Sequence, residues 1–328
     1  MMPWLLSGLG LVILLLAGDA LVRGAVNLSL RIGVPALIVS LTIVAFGTSA
    51  PELLIAISAV RDNLPGIALG NVVGSNTANV LMVLGIPALL AGLYTAQCET
   101  RKSFVIMLAA TFLFIGLAFV GVFTWVSGLV LLFALGLVLA DAFHGARKHR
   151  RAGKVAAAEA EVNGEDLADL DGLDEADPDM PTWRILLYLA LGLVGLPLGA
   201  NLLVENASII ARTYGVSDTV IGLTLVAVGT SLPELATTGM AALRRQADVA
   251  LGNVIGSNMF NLLAIIGVAT MFGPIAVDPE FLRFDLWVML ASSLLLIPFV
   301  FLRQNITRVW GAALTLLYIL YALVVLSF

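Results

Sequence analysis

The chain has 328 residues, of which 60% are hydrophobic and 12% are charged. A soluble protein of this length needs far more polar surface to cover its core, so this composition excludes a soluble class and indicates a membrane protein. The net charge of −5 hides two unlike parts, because ten of the 22 acids lie between Glu159 and Asp179, while the remainder carries 17 bases against 12 acids. The sequence has no basic stripe interleaved with aromatic residues, which excludes nucleic acid as a partner.

Five apolar segments fill the first half of the chain, and five more fill the second half. A helix needs about 20 apolar residues to cross the hydrocarbon layer. The alternating strands of about ten residues that build a closed barrel do not occur in the sequence. We therefore predict an all-α polytopic protein with ten transmembrane helices, at roughly 4–30, 35–60, 66–92, 103–121, 124–145, 184–212, 218–243, 248–272, 284–302 and 308–327.

The two halves repeat each other at an offset of 182 residues. Leu41–Ile55 reads LTIVAFGTSAPELLI and Leu223–Thr237 reads LTLVAVGTSLPELAT, with ten of 15 positions identical. Leu69–Gly85 and Leu251–Gly267 match in the same register at ten of 17 positions. Such matches indicate two copies of one structural unit. Because five is an odd number of helices, the second copy enters the membrane from the opposite side, and the repeats are inverted, as in many secondary transporters.

These segments predict a first five-helix repeat at 1–146, a linker at 147–181 and a second five-helix repeat at 182–328. The linker begins basic and becomes acidic, which is typical of a solvated, disordered segment. A regulatory calcium loop there is the alternative, although Leu167 stands where such a loop needs its first oxygen ligand. With both termini outside, the cytoplasmic loops carry 13 Lys and Arg residues and the outside loops carry three. This bias predicts a multi-pass inner-membrane protein with a cytoplasmic linker.

A Gly-Thr-Ser-x-Pro-Glu motif interrupts the second and seventh apolar segments, at 47–52 and 229–234. Glycine and proline so close together disfavour an unbroken helix. Such a break frees backbone carbonyls, at 45–47 and 227–229, and membrane proteins tolerate free carbonyls only where they line a cavity. A carboxylate near the bilayer centre costs about 2.5–3.5 kcal/mol. Because no Lys or Arg lies beside Glu52 or Glu234 in these segments, a hard cation bound by oxygen atoms is the natural partner of both.

Each of these signals has a structural alternative. Ser49 and Glu52 also fit a helix capping box, with Pro51 in the first turn. The third and eighth helices carry Gly-Asn-x-x-Gly-Ser-Asn motifs, whose glycines favour close packing and whose asparagines could make interhelical hydrogen bonds without touching an ion. Outside the motifs, we interpret four further polar residues as gate or interface residues: Asp19, Arg23, Glu205 and Asn206.

At these motifs the chain resembles the calcium:cation antiporter superfamily, specifically its prokaryotic sodium/calcium exchangers, over nearly its whole length. The resemblance implies that Glu52 and Glu234 bind calcium, helped by backbone oxygens of Thr48 and Thr230. It also implies that sodium shares both glutamates and adds a further set of ligands: the side chains of Thr48, Ser49, Ser75, Thr230, Ser231 and Ser257 and the carbonyls of Ala45 and Ala227. Asn79 and Asn261 would flank the middle of the site. Many members have aspartate where Asn261 stands, and its absence here removes one possible proton acceptor or potassium-dependence element.

Few other residues suggest chemistry. The single Cys98 excludes an internal disulfide and a cysteine cluster. His144 lies at a predicted helix end and His149 in a basic loop, which argues against an enzyme. We expect no cofactor and no obligate protein partner, only calcium, sodium and the lipid bilayer. The predicted function is electrogenic exchange of calcium for sodium by alternating access, with the first and sixth helices sliding across the core. The alternatives are a calcium/proton antiporter on the same fold and a cation channel.

Overall fold

The computed structural model describes residues 2–163, 180–215 and 227–327, and nearly all of these residues are helical. The helices of the first half are α1 (Met2–Ile32), α2 (Ala36–Val39), α3 (Ala45–Thr48), α4 (Ala50–Arg61), α5 (Pro65–Ala78), α6 (Gly85–Ala91), α7 (Arg101–Ala118) and α8 (Trp125–Asn163). Those of the second half are α9 (Thr182–Thr213), α10 (Ala227–Thr230), α11 (Leu232–Leu243), α12 (Ala247–Phe260), α13 (Ile266–Ala269), α14 (Pro279–Arg283), α15 (Asp285–Leu294), α16 (Ile297–Phe301) and α17 (Arg308–Ser327).

Short irregular elements join these helices. Among the described residues there are three π-helical segments: π1 (Ser40–Val44) between α2 and α3, π2 (Asn79–Val83) between α5 and α6, and π3 (Asn261–Ile265) between α12 and α13. A 3₁₀ turn covers Thr95–Gln97, and two strands, β1 (Val122–Phe123) and β2 (Ile275–Ala276), pair antiparallel.

The predicted all-α membrane fold is confirmed. Eight helical runs among the described residues are long and apolar enough to cross a membrane. The run 36–61 would be a ninth, although it bends by 43°. Residues 216–226, which include the start of the seventh predicted segment at 218–243, lie outside the described residues, so the count of ten helices stays a prediction.

The predicted linker is helical where it begins. α8 continues to Asn163, well past residue 147, where we expected the chain to become disordered. The residues 154–162 read KVAAAEAEV, and alanine, lysine and glutamate are strong helix formers, which explains the longer helix. The acidic part of the linker, at 164–179, lies outside the described residues.

Two long helices, α1 and α9, pack tightly against each other because glycines bring their backbones close. A Cβ atom built on Gly10 would lie 2.6 Å from the backbone nitrogen of Leu203. A Cβ on Gly192 would lie 2.5 Å from the Cβ of Leu21. The residues of these two contacts exchange places under the 182-residue offset, since 10 corresponds to 192 and 21 to 203. Small residues at such crossings are the usual means by which membrane helices approach each other.

The same symmetry appears at both ends of the helix bundle. Leu93 bridges to Ile306 through two backbone hydrogen bonds of 2.9 and 3.0 Å. Phe123 pairs with Ile275 in the short sheet. Adding 182 to 93 gives 275, and subtracting 182 from 306 gives 124, one residue from Phe123, so the two pairings occupy equivalent places to within one residue. Between them, α12 is buried at 13 of its 14 residues and forms the centre of the molecule.

Candidate ion site

Both Gly-Thr-Ser-x-Pro-Glu motifs break their helices, as the sequence predicted. The turn between α3 and α4 lies at Ser49, and the turn between α10 and α11 lies at Ser231. Pro51 has no N–H to donate to the carbonyl of Gly47 four residues before it, which explains why the helix is interrupted there. One expectation is wrong: the carbonyl of Ala45 is not free, because it accepts hydrogen bonds from the Ser49 N–H, at 3.1 Å, and the Thr48 hydroxyl, at 3.3 Å.

The two glutamates face each other from the breaks. Glu52 lies in the first turn of α4 and is 1% exposed, and Glu234 lies in the first turn of α11 and is fully buried. Their carboxylates are close enough for their charges to repel. One oxygen of each, Oε2, has no hydrogen-bond partner among the described residues. A buried carboxylate oxygen without a partner is costly, and a bound cation would supply the missing interaction.

The serines at the breaks do not cap the helices. Neither Ser49 nor Ser231 makes a side-chain capping bond, so the capping-box alternative fails at both motifs. Instead, Ser49 donates from Oγ to Oε1 of Glu234 at 3.3 Å and thereby connects the first repeat to the second. The Oγ of Ser231 has no partner among the described residues.

The first asparagine of each Gly-Asn-x-x-Gly-Ser-Asn motif supports the glutamate of its own repeat. Asn71 donates from Nδ2 to the backbone carbonyl of Glu52, and Asn253 does the same to Glu234, both at 3.4 Å. Asn253 also contacts Thr48 and Thr238. The sequence argument did not select Asn253 as a site residue. The place of Asn253 in a repeated motif could have identified it as a site residue. No such repeat pointed to Thr238, because Ala56 occupies the equivalent position of the first repeat.

The last asparagines of the motifs meet at the centre. Asn76 and Asn258 each donate from Nδ2 to the backbone carbonyl of the other, at 3.1 and 3.4 Å. They are 182 residues apart, so the symmetry axis passes between them. Asn79 donates to Oδ1 of Asn258 at 3.0 Å, whereas both amide atoms of Asn261 are buried without a partner among the described residues.

Two π-helical segments begin at the site, and the sequence did not predict them. π2 begins at Asn79 and π3 begins at Asn261, the equivalent position of the second repeat. Single π turns inside helices occur frequently at functional sites, where they redirect a side chain. Helical periodicity gives no signal for such a turn, because the hydrophobic pattern continues through it.

Most of the predicted site residues converge on this centre. Thr48 lies within 3.5 Å of Ser257, Ser75 is 5% exposed, and Thr230 ends α10 beside the second break. Ala227 begins α10. The buried polar side chains in the two motif pairs are Thr48, Ser49, Glu52, Ser75, Asn76, Asn79, Ser231, Glu234, Asn253, Ser257, Asn258 and Asn261.

The predicted gate residues behave differently in the two repeats. Asp19 and Arg23 pair as expected, with Oδ2 to Nε at 3.1 Å. Asp19 also accepts from Nε of Arg244 at 2.5 Å, which joins α1 to the end of α11. In α9, Glu205 is exposed, and Asn206 donates within its own helix to the carbonyl of Leu202 at 2.8 Å.

Comparison with known proteins identifies the family. The model of the sodium/calcium exchanger protein family matches residues 2–142 and 184–327. The chain belongs to this family. It is 34% identical to sodium/calcium exchanger MaX1 of Methanosarcina acetivorans, with 96% of each chain covered. It is 32% identical to inner membrane protein YrbG of Escherichia coli, with 87% of this chain and 85% of that protein covered.

A solved structure agrees with the assignment. The sodium-calcium exchanger NCX_Mj superposes with a TM-score of 0.78 at 29% identity, over 98% of this chain and 97% of that one. The chain is therefore a polytopic membrane protein of the cation antiporter type, and members of its family are transporters rather than enzymes.

Proposed function

We propose that this antiporter exports calcium in exchange for sodium entering the cell, and that both ions bind at Glu52 and Glu234. The observation that carries the proposal is the buried pair of carboxylates, each with an oxygen that no described protein group satisfies. Two carboxylates balance one divalent ion or two monovalent ions, and ligation by oxygen alone favours calcium and sodium over softer metals. The names of MaX1 and NCX_Mj support the same pair of ions.

The oxygen atoms around the glutamates offer more possible ligands for sodium than calcium needs. The hydroxyl of Ser231 and the amide oxygens of Asn79 and Asn261 are buried near the glutamates without described partners. Sodium would add to the shared carboxylates a set of neutral ligands: Thr48, Ser49, Ser75, Thr230, Ser231 and Ser257, with the carbonyl of Ala227. The Ala45 carbonyl is left out of this set because it already accepts two hydrogen bonds. We propose that more than two sodium ions exchange for one calcium, so that each cycle moves net charge.

We also propose how the protein is oriented in the membrane. The excess of Lys and Arg in alternate loops supports both termini outside and the 147–181 linker in the cytoplasm, between repeats at 1–146 and 182–328. The relative YrbG is named an inner membrane protein, which supports the same membrane here. A reporter fused in the linker should lie in the cytoplasm, and one fused after residue 328 should lie outside.

Reconstitution into liposomes tests the exchange. Liposomes loaded with calcium-45 receive an imposed sodium gradient, at matched pH on both sides, and the release of calcium is followed. Release that needs sodium, saturates and stops when the gradient is dissipated supports the proposal. Release driven instead by a pH gradient without sodium would indicate the calcium/proton antiporter, and unsaturated release without a counter-ion would indicate a channel.

Clamping the voltage tests the stoichiometry. With the membrane potential set by potassium and valinomycin, each net charge moved contributes about 2.3 kcal/mol per 100 mV. Three sodium ions per calcium should therefore make the flux depend steeply on the clamped potential. Flux that ignores the potential would mean two sodium ions per calcium and would remove the proposed extra sodium site.

A further inference from the structure

Asn253 occupies a junction between both broken helices. It lies in α12 and is fully buried. Its Oδ1 accepts from the Thr48 hydroxyl of the first repeat at 3.3 Å. Its Nδ2 donates to the Thr238 hydroxyl at 3.1 Å and to the Glu234 carbonyl at 3.4 Å, both in the second repeat. One amide therefore connects the end of α3 to the first turns of α11.

The hydrogen bonds fix which way this amide points. The backbone carbonyl of Glu234 can only accept, so it must face Nδ2 of Asn253. The amide oxygen then faces Thr48, and because that oxygen can only accept, the hydroxyl hydrogen of Thr48 turns toward it. Two further oxygens lie beside this hydroxyl: the Ala45 carbonyl, at 3.3 Å, which can only accept, and Oγ of Ser257, at 3.5 Å, which can donate or accept. The hydroxyl has a single hydrogen, which the amide oxygen and the carbonyl share, and the lone pairs of Thr48 remain available to a cation.

The equivalent residue of the first repeat lacks this arrangement. Asn71 is only half-buried, and its hydrogen bond to the described residues runs from Nδ2 to the Glu52 carbonyl at 3.4 Å. The position equivalent to Thr238 is Ala56, which has no hydroxyl to accept from Asn71. The amide of Asn71 is thus held by one element, whereas that of Asn253 is held by two helices of opposite repeats.

We propose that Asn253 is a positioning residue for sodium: it orients the Thr48 hydroxyl so that its oxygen accepts a cation, and it couples this orientation to the Glu234 backbone. This role rests on the proposed function, because it takes sodium as the ion that uses the Thr48 hydroxyl. Calcium depends on it less, since its main ligands are the carboxylates. Loss of Asn253 therefore acts on the sodium affinity through Thr48, and the first repeat offers a matched control in Asn71.

A double-mutant cycle tests the coupling. The variants Asn253→Ala, Thr48→Ala and their combination are compared by the sodium concentration that gives half-maximal calcium release. We expect Asn253→Ala to raise that concentration about tenfold in the wild-type background and less than about twofold when Thr48 is already alanine, since residues in contact couple. Asn71→Ala removes the matching bond to the Glu52 carbonyl, and its effect should be the same in both backgrounds, because no described hydrogen bond joins Asn71 to Thr48. Equal effects of Asn253→Ala in both backgrounds would overturn the proposal.

A milder variant and a binding assay complete the test. Thr238→Val removes only the hydroxyl that accepts from Asn253, and it should raise the half-maximal sodium concentration about two- to threefold. An unchanged value would also overturn the proposal, even if Asn253→Ala fails to fold. Wild-type protein without sodium-driven release would contradict the proposed function instead. Sodium-22 binding to the purified variants then tests the positioning role by itself, with the same cycle and the same expected coupling.

Discussion

The two repeats carry the same motifs but connect them differently. Both present a buried glutamate after a helix break, and both hold its carbonyl with an asparagine at 3.4 Å. In the first repeat, Ser49 reaches across to Glu234, while Ser231 of the second repeat has no described partner. The backbone is thus nearly symmetric, whereas the side-chain network is not. In a transporter with inverted repeats, the few positions at which the two copies differ can provide different ligands for different ions.

Neutralising the glutamates should break the symmetric part of the site. Glu52→Gln and Glu234→Gln each remove one of the two charges that balance calcium, and both carboxylates are buried. We expect sodium-driven calcium release to fall more than about 100-fold in either variant, which corresponds to about 2.8 kcal/mol. The thermal unfolding temperature should be unchanged or higher, because a repelling buried charge is gone. Exchange at the wild-type rate in either variant would contradict the assignment of both glutamates.

The sequence predicted the symmetric features well and the asymmetric ones poorly. An offset of 182 residues located both breaks and both glutamates, because glycine, proline and an intramembrane acid are strong local signals. It could not predict that Asn79 donates to Asn258 while Asn261 has no described partner, because Asn79 and Asn261 occupy equivalent positions of the two repeats. Such differences depend on small shifts between packed helices, which no local pattern encodes.

The sequence could not predict the ion pair between Asp19 and Arg244, for a related reason. Spacing along one helix predicted the pair of Asp19 with Arg23, but Arg244 lies 225 residues away along the chain. Helix periodicity has no information about such a distant partner. The free carbonyl expected at Ala45 failed because the chain forms a last helical turn before the break, which the composition of the motif does not reveal.

Adding a methyl group at the crossing of α1 and α9 should destabilise the protein. A Cβ at Gly10 would lie 2.6 Å from the Leu203 backbone nitrogen, and backbone atoms cannot move aside cheaply. We expect Gly10→Ala to cost about 1–3 kcal/mol, measured as a lower unfolding temperature in detergent. Gly8→Ala is the matched control, because nothing lies within 4 Å of its added Cβ, and better helix propensity should make it neutral or stabilising. Equal changes in unfolding temperature for Gly10→Ala and Gly8→Ala would mean that α1 and α9 can move apart at their crossing without loss of stability.

The ion pair between Asp19 of α1 and Arg244 at the end of α11 is a further difference between the two repeats. Asp19 accepts from both Arg23 and Arg244, but the equivalent positions of Asp19 and Arg244 hold Asn201 and Asp62, which are exposed. Asp19→Asn removes the counter-charge of a mostly buried arginine, so we expect a loss of about 1–2 kcal/mol of stability and slower exchange.

A neutral double variant separates charge from packing at this pair. Asp19→Asn with Arg244→Gln removes both charges and should be milder than either single change, because no buried charge is left without its partner and Arg23, which also loses Asp19, is exposed. Asp62→Asn at the equivalent exposed position should have no effect on the unfolding temperature. A double variant whose loss equals the sum of the single losses would show that the pair is not coupled.

The smallest effect should come from the two serines at the breaks, and it should depend on the ion. Ser49→Ala leaves Oε1 of Glu234 without the hydroxyl that now donates to it at 3.3 Å, whereas Ser231→Ala removes a hydroxyl that has no described partner. Without calcium or sodium, Ser49→Ala should therefore lower the free energy of unfolding by about 0.5–1.5 kcal/mol and Ser231→Ala should leave it unchanged. With excess sodium, both variants should lose part of the ion-dependent rise in unfolding temperature, because each removes a proposed ligand and a bound ion stabilises the folded state more when it binds more tightly. Thermal unfolding with chelator and with sodium measures both conditions in the same preparation. If Ser231→Ala destabilises the ion-free protein as much as Ser49→Ala does, the two breaks are equivalent, and the asymmetry between the repeats does not extend to their serines.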